Sequence, residues 1–443
     1  MLSKKKSKLS EKKLNNAYLG FVVIKPLPET IIGRTCLTIY EDDPKRKYPI
    51  TRKYKANLFG IHLTVNKTIA FQEQDSVVSA CATSALWSAF QGTGILFQHK
   101  IPSPVQITSV SDGVFSSNKN RTFPNSNLKP EMMAKAIRHV GLEPYSKDVT
   151  FEHDELIHHL YAYLKCGIPV ILGVHLFDTT KSYGEDGYKN PIKHAVAVTG
   201  FKLGKDKAAM NSSGLLTTAS RINKIYVHDD QVGPFARMAI DDEKLLVQKI
   251  DNKEVYTTAF STSHPNSKGR LTHVKAIPDL IMIPHYHKIR IPYEQIELAI
   301  NIFGHITEEA LPQLPKHSRN NINLKFEWDI YLTTVNAYKS DLFNSKVRTS
   351  FYDTLTKGLP HYLWRASACV RGRPVIDFLF DATDIEQGSF FIQPIFYRED
   401  LKKALVDLFQ NTNIKKNVGK EKFELLQKSQ GWHIVKWFKD YNY

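Results

Sequence analysis

The chain has 443 residues, 42% of them hydrophobic and 11% aromatic, and a formal net charge of +16 at pH 7. That length is too great for one ordinary core and implies two or three domains with ample material to fill them. No apolar run approaches the roughly 18 residues of a membrane-spanning helix, so no membrane span is expected. No zinc-type cysteine spacing, phosphate-cradling glycine-rich loop or dinucleotide fingerprint is present, and no metal or cofactor is expected. The positive charge attracts polyanions without naming one, so contact with nucleic acid or another polyanion through a basic surface is a secondary expectation.

In chain order, residues 1–16, MLSKKKSKLSEKKLNN, are basic and lack the apolar stretch of a secretory signal, so they read as a disordered basic arm. Residues 17–65 alternate apolar and β-branched runs with Pro, Gly and Asp, the mark of a β-rich N-terminal segment. A helix is expected from about Cys81 to Phe90, in CATSALWSAF. Residues 103–128, rich in Ser, Asn and Pro, read as a long surface loop. Pro130 in a first turn, Met133, Ala136, Ile137 and Val140 on one face and Gly141 as a stop predict a second helix. Leu156, His159, Leu160, Tyr163 and Leu164, ended by Gly167, predict a third.

The period then changes. IPVILGVHLF, HAVAVTGF and KIYVHDD read as strands, the first covered on both faces. Helices followed by clustered strands indicate an α+β arrangement rather than regular βαβ alternation. From about residue 246, strand-like runs (DLIMIP, FEWDIYLTTV, LPHYLWRASACV and RPVIDFLFDATD, with a hairpin at RGR) mix with helical spacing in YEQIELAINIFGHI and EDLKKALVDLF. Residues 246–443 are therefore expected to be a separate C-terminal α/β accessory domain.

Four cysteines, Cys36, Cys81, Cys166 and Cys369, lie far apart, which suits free thiols in a reducing cytoplasm. Cys81 is the one placed where a helix dipole favours thiolate. A nucleophilic thiol also needs an imidazole from elsewhere in the chain, and His194, opening an apolar strand straight after a polar loop, is the best placed. A third group should hold the ring by its other nitrogen. Asp229 and Asp230 both end the next strand-like run; Asp229 shares strand parity with Ile225 and Val227, Asp230 with Tyr226 and His228. The histidines of HDELIHHL lack the spacing that sets two imidazoles on one helix face, so they read as packing.

An upstream glutamine, a cysteine opening a helix, GIPVILGV, HAVAVTGF and an acid-ended strand before VGP together resemble the papain-like cysteine peptidase superfamily. The style is closest to the bacterial leader-cleaving peptidases of bacteriocin exporters, and the resemblance covers about residues 66–245. It implies a papain-like thiol hydrolase domain, with helices packed on an antiparallel sheet, that cleaves a peptide or amide bond of a peptide or protein substrate through a Cys-His-Asp triad and an acyl-enzyme. Cys81 is then the nucleophile, His194 the general base and acid, and Asp229 the orienting acid, with Asp230 as the alternative. Asp229 is favoured because the acid in such relatives stands four positions before a turn glycine, here Gly233. Gln74 is the implied oxyanion donor beside the Cys81 backbone N–H. It lies seven rather than six positions upstream, Gln72 competes with it, and Ala82 stands where the family has Gly. The same residues would also serve an acyl or amide transferase, and an inactive scaffold binding through its positive charge is a further alternative. These motifs fix neither the oligomeric state nor the role of the accessory domain.

Overall fold

Helices and antiparallel strands alternate irregularly along the chain, as the order of periodicities predicts. The computed structural model describes residues 11–26, 31–40, 43–73, 81–112, 128–178, 191–204, 207–250, 253–266, 268–313, 325–345, 351–385, 388–418 and 420–442. They divide into two compact units, one within Met1–Leu156, Gly167–Gly204 and Ile222–Tyr286, the other within Ile157–Cys166, Lys205–Arg221 and His287–Tyr443.

In the first unit, α1 (Glu11–Ala17) occupies the end of the segment expected to be a disordered arm. Strands β1 (Gly20–Ile24) and β2 (Ile32–Leu37) form one antiparallel ribbon. A second joins β4 (Arg52–Leu58) to β5 (Ile61–Thr68), while β3 (Arg46–Lys47) lies between the two ribbons in sequence. The turn from β4 to β5 is two residues, Phe59 and Gly60, both at positive φ, the geometry that matches the twist of a tight hairpin.

Helices α2 (Cys81–Leu96), α3 (Pro104–Asp112) and α4 (Pro130–His139) follow. The expected loop over 103–128 is thus helical in its first part, because Pro104 sits at a first helical position where its missing N–H costs nothing. Residues 113–127 lie outside the described residues. Helix α4 ends as expected, with Gly141 at φ +85°, where a side chain would be strained.

Strand β6 (Leu142–Asp148) leads through α5 (His153–Leu164) to β7 (Val170–Phe177) and β8 (Ile192–Leu203). Two two-residue strands, β9 (Ala209–Met210) and β10 (Leu216–Thr217), precede β11 (Ile222–Asp229), β12 (Gly233–Ile250), β13 (Lys253–Pro265) and β14 (Leu271–Tyr286). Strand β7 pairs with β8 and β14, β8 with β11, β11 with β12, β12 with β13 and β13 with β14, all antiparallel. Six strands therefore close on themselves, and closure leaves the ring without an exposed strand edge. Strand β3 adds to β8, and β6 adds to β14.

The boundary expected at 245/246 falls inside β12. The polar stretch DDEKLLVQKIDNKEV marks no new domain, since its backbone pairs within the ring from Lys244↔Thr258 to Ile250↔Lys253. The change of unit comes at Tyr286/His287 instead.

The second unit carries a six-stranded sheet in the order β18-β17-β16-β15-β10-β9, built from β15 (Glu327–Thr334), β16 (Tyr362–Val370), β17 (Arg373–Asp381) and β18 (Phe391–Phe396). Its pairings are antiparallel apart from the bridge Thr217↔Trp328. The accessory region is thus also of the antiparallel α+β kind. The RGR hairpin forms as predicted, with Arg371 and Gly372 at φ +51° and +72°. The sheet's buried ion pair is Arg365 with Asp377 at 3.1 Å; Asp377 also accepts from Ser367, Tyr338 and Tyr397. Among the described residues, no helix is long and apolar enough to cross a membrane.

Candidate thiol site

The run CATSALWSAF is apolar or small on every side, which is the pattern of a helix buried all round rather than along one stripe. Cys81 through Thr93 are all buried accordingly. Ala82, Ala85 and Ala89 keep α2 slim, and it packs against β8 and also touches β7 and β11. Its core neighbours include Ile171 on β7 and Ala195 and Ala197 on β8. One helix thus brings its first residue, Cys81, to the strands that carry the other candidate residues.

Strand β8 begins with exposed Ile192 and Lys193 and is buried from His194 to Phe201. The register Val198↔Val227 with β11 puts His194 and Asp229 on the same face, each an even number of residues from the paired valines. His194 Nε2 accordingly lies 3.0 Å from Asp229 Oδ1 and 3.6 Å from Asp230 Oδ1. Asp229 thus makes the closer contact with the ring, and Asp230 stands beside it. Asp229 Oδ1 also accepts the backbone N–H of Gln231 at 3.0 Å, which fixes the carboxylate at the turn into β12. Gly233 closes that turn at φ +137°. The Cys81 thiol lies near enough to the same imidazole to act on its titration. Cys81, His194 and Asp229 are 6%, 5% and 4% exposed as residues, so their interactions are little screened by solvent.

Burial by itself would push His194 down, but the hydrogen bonds to Asp229 and Cys81 and the charges of Asp229 and Asp230 hold it well above the ordinary histidine value. Burial would push Asp229 up, yet the His194 hydrogen bond and charge and the Gln231 N–H keep it below the ordinary carboxylate value. Asp230 goes the other way. Burial is the main cause and the charges of Asp229 and Glu73 add to it, so despite His194 the carboxyl is pushed up to about 7. Two adjacent acids thus have opposite protonation tendencies in one site, the kind of split that separates roles among like groups. Among the described residues, neither oxygen of Asp230 has a hydrogen-bond partner. His194, Asp229 and Asp230 each offer one ligand atom, all within 4.8 Å of one another, and could hold a metal ion.

The other cysteines are built differently. Burial pushes Cys36 up to about 11 and Cys166 and Cys369 each up to about 12. Among neighbouring histidines, burial pushes His228 down to about 3, so it is a neutral packing group against Phe235. His158 and His159 of the helical HDELIHHL run contact Thr217 and Glu294.

Gln74 lies outside the described residues. Its competitor Gln72 is half-buried and lines a cavity of about 430 Å³ with Arg34, Trp87 and Gln91. Sequence reasoning missed His264. Its ring packs edge-on to His194 with centroids 5.7 Å apart, and burial followed by the His194 charge keeps it below the ordinary histidine value. Nothing local in STSHP announces it; closure of β13 into the ring brings it there. In comparison with known proteins, no family model, no curated protein and no solved structure matches the chain.

Proposed function

We propose that the protein is a thiol hydrolase of the cysteine-peptidase type, cleaving a peptide or amide bond through Cys81, His194 and Asp229. The observation that carries this reading is the 3.0 Å contact between His194 and Asp229 beside the first residue of a buried helix, with the imidazole shifted toward its charged form and the carboxylate toward its ionised one. The papain-like reading of the first unit belongs to the same proposal, with the nucleophile's helix packed on the antiparallel strands that carry base and acid. In the reaction, Cys81 Sγ attacks the substrate carbonyl carbon. His194 gives its proton to the leaving amine as the acyl–sulfur bond is made and the C–N bond breaks. The ring then takes a proton from water, whose oxygen adds to the thioester carbonyl carbon as the C–S bond breaks, releasing the acid and restoring the Cys81 thiolate beside the protonated ring. Asp229 keeps the ring's orientation and stabilises its positive charge throughout.

The test is alkylation with iodoacetamide at about pH 6, followed by peptide mapping. Cys81 is expected to be modified well ahead of Cys36, Cys166 and Cys369, and His194→Gln is expected to slow it by roughly a hundredfold or more, the scale of losing a positioned acid–base group. Equal, slow modification of all four thiols would refute the assignment. Product masses from a peptide library with added amine then separate hydrolysis from acyl transfer.

A further inference from the structure

We propose that His194, Asp229 and Asp230 form a binding site for a divalent cation of the zinc class, and that filling it switches the thiol site off. The switching half rests on the hydrolase reading; the binding half does not. The first observation is the donor set itself, one imidazole nitrogen and two carboxylate oxygens within 4.8 Å of one another. The second is Asp230. It is 3% exposed, its oxygens have no hydrogen-bond partner among the described residues, and one of them lies 3.6 Å from the shared Nε2. A buried carboxylate whose only polar contact among the described residues is that 3.6 Å approach to Nε2, with no hydrogen-bond donor, is costly and calls for an ion or a donor to satisfy it.

The spacing suits a small cation. With zinc–nitrogen and zinc–oxygen bonds of about 2.0–2.2 Å, neighbouring ligand atoms of a tetrahedral site lie roughly 3.4 Å apart. The Nε2 distances to Asp229 and Asp230, 3.0 and 3.6 Å, bracket that value. An imidazole with two carboxylates fits zinc and its first-row neighbours, whereas calcium takes six or more oxygens and magnesium keeps most of its water. A cation on Nε2 replaces the proton there, which leaves for solvent. The hydrogen bond to Asp229 is lost with it, and that bond is what orients the ring and holds its charge. Cys81 is not part of this donor set and is not needed as a ligand.

The test is calorimetric titration of metal-free full-length protein with Zn²⁺, using Mg²⁺ as control, for the parent, Asp230→Asn and Cys81→Ser. About one Zn²⁺ per chain is expected in the parent and in Cys81→Ser, with binding weakened about tenfold or more in Asp230→Asn. Circular dichroism confirms that each variant is folded. In parallel, Zn²⁺ is expected to slow iodoacetamide labelling of Cys81 in the parent, and to do so much less in Asp230→Asn, each compared with its own zinc-free rate. Binding kept in Asp230→Asn but lost in Cys81→Ser would reveal a thiol adduct and overturn the site, as would no binding at all. Zinc binding that follows Asp230 in a protein whose Cys81 never labels would keep the site and sink the hydrolase reading, so the two failures are distinct.

Discussion

Replacing Asp230 with Asn removes a buried charge while nearly keeping the side chain's shape. In the unfolded chain this carboxyl ionises near its ordinary value of 3.8; folded, it is pushed up to about 7. An acid raised in this way costs nothing below its unfolded value. The penalty grows as pH rises from there, because the unfolded chain has released its proton and the folded one has not, and it is complete above the folded value. At about 1.4 kcal/mol per pH unit, the full penalty is about 4 kcal/mol, of which about 3 kcal/mol develops between about pH 5 and pH 8. The Asn amide carries its own desolvation cost, so the informative quantity is how the stability difference changes with pH. Urea denaturation followed by tryptophan fluorescence, in chelator, is expected to show Asp230→Asn gaining about 3 kcal/mol on the parent over that interval. A difference that stays flat with pH would refute the reasoning.

Asp229→Asn is expected to slow Cys81 alkylation and to move the alkaline limb of its pH profile down. His194 is raised above its unfolded value, so its stabilisation is fully present below about 6.5 and is lost as pH rises through the raised folded value; removing Asp229 brings that loss to lower pH. Asp229 itself is depressed, so its contribution is lost only as pH falls through its lowered value, which acid titration of the parent will show. Phe90→Ala, at a fully buried position of α2, should cost about 3–5 kcal/mol in denaturant titrations and weaken Cys81 labelling by loosening the helix that presents it. In the second unit, Asp377→Ala leaves Arg365 without its buried carboxylate, with only the exposed Asp341 at 3.2 Å to replace it, and should cost about 3 kcal/mol, read as a lower thermal midpoint, with the labelling rate of folded protein unchanged.

Much of the site is legible in order along the chain. Small and apolar residues all round CATSALWSAF announce a buried helix, and α2 extends to Leu96 because QGTGIL continues in the same small, apolar style. HAVAVTGF and KIYVHDD read as strands and are strands. Strand parity separates Asp229 from Asp230 without choosing between them, and only the register with β8 shows which one shares a face with His194, since side chains two apart share a face. The long polar strands β12 and β13 were not legible, because their alternation is weak and their backbone is held by partners distant in sequence. The unit boundary differs from the one composition suggests for that same reason: composition shifts inside β12, while pairing continues to Tyr286.

The amino-acid sequence by itself determined which residues have the chemistry, a cysteine at a helix start, a histidine at a strand start and two acids at a strand end, since each follows from local periodicity. Tertiary structure alone decided that Asp229 comes closer to Nε2 than Asp230 does, that His264 stands against the ring, and that, among the described residues, no hydrogen-bond donor reaches the buried Asp230 carboxylate. Those outcomes depend on ångström-scale register and on the burial of charge, which arise only when the strand ring closes over residues far apart in the chain.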